Sequence, residues 1–365
     1  MLTNVIPMCN SNSYENHSHM ISAEQRNHTF DVLKGMAIVL VIIGHLQGLY
    51  SFIYAFIFSF HMPLFFLVSG WFYKEKTIFS YIKTDCCRLL RPYYVTVFIF
   101  CIWWFVRSVF RNDYRILLNT IIVYINGTAI LADDGCSQYV PITGDTFPMI
   151  GPIWFFISMF WCRQLYNLLR IKNIILKLVI ALLLSYIAYV ISNNYFQLPL
   201  GILPGICGMA FYAIGHYVKR NVDVICKYKF FLIPIGLIVF VYCNIYSSLS
   251  MVICHFKFWP LDIISGCFGT WILYLVSNWI VSYTSYCKIF FTWLGRNSMA
   301  VLVFHFFEFR SGIWEDFLHV SNMWYVLFPL KMILIISLLL ICSHIKYVRN
   351  LYNIKNYPVN VNSMN

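Results

Sequence analysis

Acidic side chains are scarce here: Asp and Glu number 14 in 365 residues, against 26 Lys and Arg. Charged residues of both signs make up 11% of the sequence, well under the roughly 25% of a soluble domain. A chain this poor in charge and 60% apolar cannot cover its own surface with polar groups in water. That excludes a soluble enzyme with a single membrane anchor, a disordered chain and a nucleic-acid-binding module. No Cys-x-x-Cys pair occurs among the 13 cysteines, so no zinc knuckle or redox dithiol is expected. Most thiols lie in apolar runs, where they act as small apolar side chains. Cys136 and Cys254 fall in loops expected on one side, which leaves a bridge between them open but not expected. Residues 1–29 lack the apolar core of a signal peptide, so the N-terminus is expected to stay in the cytoplasm. There is no internal repeat of the kind that marks a solenoid or an inverted-repeat transporter.

What is present is a series of long apolar runs, with a mean hydropathy of +0.71. They predict an all-α polytopic membrane protein of about ten transmembrane helices, near 31–50, 52–72, 92–110, 152–169, 174–192, 199–217, 230–248, 262–285, 291–309 and 324–344. Most basic residues then fall in loops on the same side as both termini, which the positive-inside rule makes cytoplasmic. The net charge of +12 is read accordingly, as cytoplasmic loops and contact with anionic headgroups. The expected organisation is a polar tail over 1–29, a membrane domain over 30–345 and a cytoplasmic tail over 346–365. Residues 73–91 are expected as a basic amphipathic loop, 111–150 as the longest outer connection, and 310–323 as a further irregular stretch.

Ionisable groups inside an apolar run are costly and call for a reason. The first run carries Asp31, Lys34 and His45. At 100° per residue, Lys34 and His45 lie about 20° apart in projection, and Asp31 is i−3 to Lys34. His45 would sit about 16 Å deeper than Lys34. One reading is structural: a snorkelling Lys paired with Asp31, and a His bonded to a neighbouring helix. The other is a channel in which a cation binds an anionic donor and an imidazole at depth acts as base, since a neutral ring can take a hydroxyl proton near pH 7. Asp31 is too far along the helix to touch His45, so it is expected to fix Lys34.

This segment resembles the start of the acyltransferase-3 family of integral membrane acyltransferases, whose first span carries Arg/Lys-x10-His, matched here by Lys34-x10-His45. The run Phe60-His61-Met62-Pro63 through Ser69-Gly70 is similar to the family's second span, and Arg88-Leu-Leu-Arg91-Pro92 to its basic cytoplasmic motif. Pro152-Ile-Trp154-Phe155-Phe156 resembles its Trp-Phe span start, and Leu294-Gly295-Arg296-Asn297-Ser298 followed by His305 its late signature. The landmarks keep the family's order from about 28 to 308. The nearest branch acetylates surface polysaccharides and includes fucose acetylase-like proteins. The sequence departs from the pattern in three ways. Lys34 stands where many relatives have Arg, Met159 follows Ser158 where many have a Trp-Ser-Leu-Ser-x-Glu pattern, and the soluble esterase-like domain of some members is absent.

The remaining candidates admit two readings each. Arg88 and Arg91, one turn apart, suit either the phosphates of a coenzyme A donor or anchorage beside anionic lipid; the resemblance favours the donor. His61 precedes Pro63, so it serves a freed carbonyl or lines the cavity of His45, the structural role being favoured. Trp154 follows Pro152 in a first helical turn, as an interfacial aromatic or a face on which a sugar stacks. His305 and Glu308 are i,i+3, a buried polar pair or groups that orient an acceptor hydroxyl.

The resemblance implies an O-acyltransferase of a bacterial cytoplasmic (inner) membrane, moving an acyl group, acetyl in the nearest branch, from acyl-CoA to a carbohydrate hydroxyl or its lipid-linked precursor. Acyl-CoA is then a co-substrate, with no permanently bound cofactor and no metal. His45 would be catalytic, Lys34, Arg88 and Arg91 donor-binding, Asp31 and His61 supporting, and Trp154, His305 and Glu308 on the acceptor side. The expected partners are the bilayer, acyl-CoA and the carbohydrate, with no nucleic acid. The rival reading is a polytopic transporter or flippase of lipid-linked oligosaccharide, which should spread polar residues through several central helices. The sequence is read instead as concentrating them in the first two spans and at helix ends. A polysaccharide polymerase would need a larger outer loop. The separate membrane-bound O-acyltransferase superfamily would use His305, against the ordered landmarks.

Overall fold

A computed structural model describes residues 28–46, 48–111, 151–195, 198–247, 249–311, 314 and 324–357. Among them the protein is helical throughout, apart from one isolated bridge between Ser250 and His255. Helix α1 (His28–Gly44) is followed by α2 (Ser51–Phe58) and α3 (His61–Trp71). Helix α4 (Ile78–Asp85) continues through a π turn (Cys86–Leu90) into α5 (Arg91–Arg111). Next come α6 (Trp154–Leu168), α7 (Ile174–Asn194), α8 (Ile202–Arg220), α9 (Val222–Lys227) and α10 (Lys229–Tyr246). The chain ends with α11 (Leu261–Tyr283), α12 (Ser285–Arg296), α13 (Ser298–Arg310), α14 (Trp324–His344) and α15 (Lys346–Tyr352).

Six helical stretches among the described residues are long and apolar enough to cross a membrane: 51–71, 78–110, 174–194, 229–246, 261–283 and 324–344. Much of their apolar surface faces outward, as with Phe230, Phe231, Ile235 and Ile238 along α10. In water such a surface would be a liability; against lipid it is the solvent-matched face. The architecture is that of a multi-pass membrane protein. Helices α1, α6 and α13 are shorter than these spans; their buried residues help form the interior.

Several boundaries match the apolar runs, most closely α7, α10, α11 and α14. Elsewhere the structure corrects the sequence. The stretch 73–91, expected as a loop, is largely helical, because Tyr81, Asp85 and Leu89 recur at four-residue spacing and are buried as one face. The span expected at 291–309 is two helices broken at Asn297. That side chain donates to the carbonyls of Trp293 (3.0 Å) and Lys355 (3.0 Å) and accepts from the Lys355 N–H (2.7 Å). Its side-chain amide thus ties the junction of the two helices to the segment at Lys355. The same contacts dock the stretch after 346, expected as a tail: Tyr352 and Ile354 are buried, and Tyr352 bonds Thr96 at 3.0 Å. The first helix ends at Gly44, short of 50, and Gly48 takes a left-handed φ of 76° in the turn that follows. Cys254 keeps a free, buried thiol, so the bridge to Cys136 is not formed. The loops expected at 111–150 and 310–323 lie largely outside the described residues, as does the tail over 1–27.

Two backbone contacts set the helix positions. A Cβ on Gly35 would run into the Phe291 carbonyl, and one on Gly295 into the carbonyl of Asp31, so α1 and α12 touch main chain to main chain. Gly70 and Gly215 do the same for α3 and α8, against the carbonyls of Tyr212 and Leu67. Small residues permit this approach where lipid supplies no hydrophobic drive between helices.

Candidate active site

The α1–α12 contact brings Asp31 beside Arg296 as well as Lys34. Asp31 is 3% exposed, and its two oxygens are paired separately: Lys34 Nζ at 2.9 Å from Oδ1 and Arg296 Nε at 3.3 Å from Oδ2. The expected Asp31–Lys34 pair is therefore present, and a third charge joins it. Two cations on one carboxylate leave a net positive centre, and both cationic side chains keep about a quarter of their surface exposed. Arg296 had been visible in the late signature without a partner to give it meaning.

At the other end of α1 the chain opens a cavity of ≈ 600 Å³. His45, His61, Trp154, Tyr54, Ser250 and Arg310 are among its lining residues. His45 comes from the end of α1, His61 from the first residue of α3 and Trp154 from the first residue of α6. Three separate candidates of the sequence thus meet in one chamber. Nδ1 of His45 lies 2.8 Å from the Val41 carbonyl oxygen, and Nδ1 of His61 lies 2.8 Å from that of Ile57. A carbonyl can only accept, so in both rings Nδ1 carries the hydrogen and Nε2 keeps its lone pair. His45 is a half-buried ring with its basic nitrogen not used by the fold, the state a general base needs.

Behind His45 stands a buried charged network. The His305 ring meets the His45 ring edge-on, with centroids 5.2 Å apart. His305 Nδ1 donates to Glu308 Oε1 at 2.6 Å, as the i,i+3 spacing predicted. Glu308 also accepts from Trp314 Nε1 and pairs with Lys331, whose Nζ is 2.9 Å from Oε2. The side chains of His305, Glu308 and Lys331 are 0%, 1% and 5% exposed. His305 Nε2 is buried with no hydrogen-bond partner, an unspent acceptor next to the ring that lines the cavity. Glu308 fixes the His305 ring, and that ring packs edge-on against His45 without a hydrogen bond between the two. Lys331 was not singled out from the sequence, although a lone Lys inside the apolar run of α14 is the kind of group that requires a partner.

Arg88 and Arg91 do not line this cavity. Both are exposed, Arg88 within the π turn and Arg91 directly after it. The wider coil of a π turn spreads i,i+3 side chains more than the α-helical spacing assumed from sequence. The arginine of that region with partners in the fold is the half-buried Arg163 on α6, which donates from Nε to Asp85 at 2.9 Å and from Nη1 to Ser69 at 3.1 Å. Close by, Lys177 is buried at 3% exposure, donates to the Tyr73 hydroxyl at 3.3 Å and sits over the rings of Tyr73 and Tyr166. Burial pushes the Tyr73 hydroxyl well above its usual range, so it stays neutral and bonds Asn167 at 3.2 Å. Buried or half-buried charged groups and histidines are thus spread over α6, α7, α13 and α14, and not confined to the first two spans and helix ends as the sequence suggested. The argument against transport that rested on their confinement falls with it.

Among the described residues no cluster of His, Cys, Asp or Glu has the form of a metal site. No curated protein and no solved structure matches the chain. The family model described as an acyltransferase domain, Acyl_transf_3, matches residues 27–347. That match spans the double-cation centre, the histidine cavity and the Glu308 network together, and the chain belongs to the acyltransferase-3 family of membrane acyltransferases.

Proposed function

We propose that the protein transfers an acyl group, acetyl in the simplest case, from acyl-CoA to a hydroxyl of a cell-surface carbohydrate or its lipid-linked precursor, in a bacterial cytoplasmic membrane. The observation that carries this is His45: it lines the cavity, its Nδ1 is committed to Val41, and its Nε2 is left to act on a substrate. An acceptor hydroxyl bound there gives its proton to Nε2 as its oxygen attacks the thioester carbonyl. The tetrahedral intermediate collapses with cleavage of the C–S bond, and the proton on His45 passes to the departing thiolate. The thioester is already activated, so the protein need supply only a base, alignment of the two substrates and stabilisation of the developing charge. His61 presents a second Nδ1-tethered imidazole to the same cavity, and Trp154 a ring on which a sugar can stack. Lys34 and Arg296, sharing Asp31, carry the excess positive charge that suits an anionic donor, with Arg88 and Arg91 exposed nearer the surface as its first contacts.

Membranes containing wild type, His45→Ala or His45→Gln, incubated with labelled acetyl-CoA and the cell's own glycan, test the reading. Both variants should lose transfer by about 10²-fold or more while remaining inserted. Full activity in either removes His45 from the mechanism. The rival, export of a lipid-linked oligosaccharide, draws on the charges buried across several helices. It requires glycan movement that continues without acyl-CoA and survives His45→Gln.

A further inference from the structure

Beside the histidine cavity lies a smaller chamber of ≈ 250 Å³. Tyr54, Phe58 and Ser250 line both, so the two are neighbours across one wall. Tyr54 and Phe58 are stacked at 4.0 Å and form the aromatic part of that wall. Several polar side chains line the smaller chamber. Asp262, 1% exposed, lines it; one carboxylate oxygen accepts from the Phe258 N–H at 2.8 Å. No cation pairs with Asp262 among the described residues. Ser265, one turn further along α11 and also 1% exposed, lines the chamber with its hydroxyl unsatisfied; only the Cys243 thiol, a weak partner, stands beside it. The Ser247 hydroxyl is likewise buried, unsatisfied and in the lining. His255 completes the set, its Nδ1 3.0 Å from Asn193 Oδ1.

Leaving the two serine hydroxyls dry and without a strong partner costs roughly 1–3 kcal/mol for each, and Asp262 holds only one backbone N–H and the Cys243 thiol. They form a cluster of acceptors and hydroxyls beside the aromatic wall. An acyl tail would strand every one of these polar groups. A vicinal diol or triol would satisfy them: the carboxylate accepts from hydroxyls, the serines both donate and accept, and the ring face covers the aromatic wall. At about 30 Å³ per water, the volume is that of about eight waters, close to one monosaccharide ring.

We infer that this chamber is a carbohydrate subsite, which holds one sugar ring of the acceptor by its vicinal hydroxyls beside the cavity in which His45 meets the hydroxyl to be acylated. The inference rests on the acyltransfer reading for the identity of the acceptor, but the binding it asserts does not depend on turnover. Binding is read with purified full-length protein in nanodiscs, using a panel of methyl hexopyranosides and methyl 6-deoxyhexopyranosides at millimolar concentration and the thermal unfolding midpoint as signal. A ligand that binds the folded state raises that midpoint. At least one glycoside should stabilise wild type and His45→Gln alike, and the shift should vanish in Asp262→Asn and shrink in Ser265→Ala. In transfer assays Asp262→Asn should raise the acceptor KM about tenfold or more with the acetyl-CoA KM unchanged. No stabilisation by any glycoside, or an undiminished shift in both variants, overturns the subsite. Glycoside binding lost in Asp262→Asn, in a protein that transfers no acetyl group, keeps the subsite and overturns the acyltransfer reading instead. Acetyl transfer with an acceptor KM unaffected by both substitutions does the reverse.

Discussion

Replacing Lys331 with Met should destabilise the protein severely, and replacing Glu308 with Gln at the same time should restore most of the loss. Lys331 Nζ lies 2.9 Å and 3.2 Å from the two oxygens of Glu308, with neither side chain more than 5% exposed. At an effective dielectric constant of about 20 their attraction is about 6 kcal/mol, most of it offset by the cost of removing both charges from water. Lys331→Met removes the attraction and leaves the carboxylate buried, a change that costs about 3–5 kcal/mol in comparable sites. Two donors remain, His305 Nδ1 and Trp314 Nε1, which places the expected loss near the lower end, about 3 kcal/mol. The double variant Glu308→Gln/Lys331→Met has no buried charge; its amide oxygen accepts from Trp314 Nε1, and its NH2 donates to His305 Nδ1 once that ring carries its proton on Nε2 instead. It should lie within about 1 kcal/mol of wild type, so the coupling between the sites is about 2 kcal/mol or more.

The assay is the thermal midpoint of the fluorescently tagged protein in one detergent for all four members of the cycle. At about 2 °C per kcal/mol for a large domain, Lys331→Met should melt about 6 °C below wild type and the double variant about 2 °C below it. A single variant as stable as wild type, or a double variant worse than the single one, refutes the reasoning. Either result would mean that Glu308 is not a buried carboxylate dependent on Lys331.

Gly295→Ala should destabilise by about 1–3 kcal/mol, because the new Cβ meets the Asp31 carbonyl and forces α12 off α1; a midpoint equal to wild type would show that the contact is not tight. Arg88→Ala and Arg91→Ala should raise the KM for acetyl-CoA several-fold and leave the acceptor KM alone, since both guanidinium groups are exposed and away from the histidine cavity. Equal effects on both substrates make the π turn a structural feature. Lys34→Arg should keep much of the transfer activity, whereas Lys34→Met should lose it with little loss of folding, because Arg296 still holds Asp31 at 3.3 Å. Equal kinetics in the two variants reduce Lys34 to an anchor.

The helices that face lipid were legible because their sequences answer to one solvent: α7, α10, α11 and α14 are apolar around most of their circumference and begin and end near where hydropathy does. What hydropathy misreads is a helix whose environment changes along its length. The stretch 78–90 looks basic and loop-like, yet Tyr81, Asp85 and Leu89 turn inward together. The run 291–309 is largely apolar, yet it breaks at Asn297, whose side chain bonds a segment near the C-terminus. Contacts of that range leave no periodicity in the local sequence.

For the site, spacing on a single helix was readable and convergence of helices was not. Lys34 to Asp31 and His305 to Glu308 are i,i+3 pairs, and both form. The face shared by Lys34 and His45 was also derived, but which residues would stand opposite them was not. Arg296, Lys331 and Asp262 each sit in an apolar stretch, where an ionisable group is retained only against a partner or a ligand. Two of the three have their partner in the fold: Arg296 takes Asp31 and Lys331 takes Glu308. Asp262 has only a backbone N–H and the Cys243 thiol, beside two serine hydroxyls without a strong partner. That difference separates the charges that hold helices together from the one that awaits a substrate.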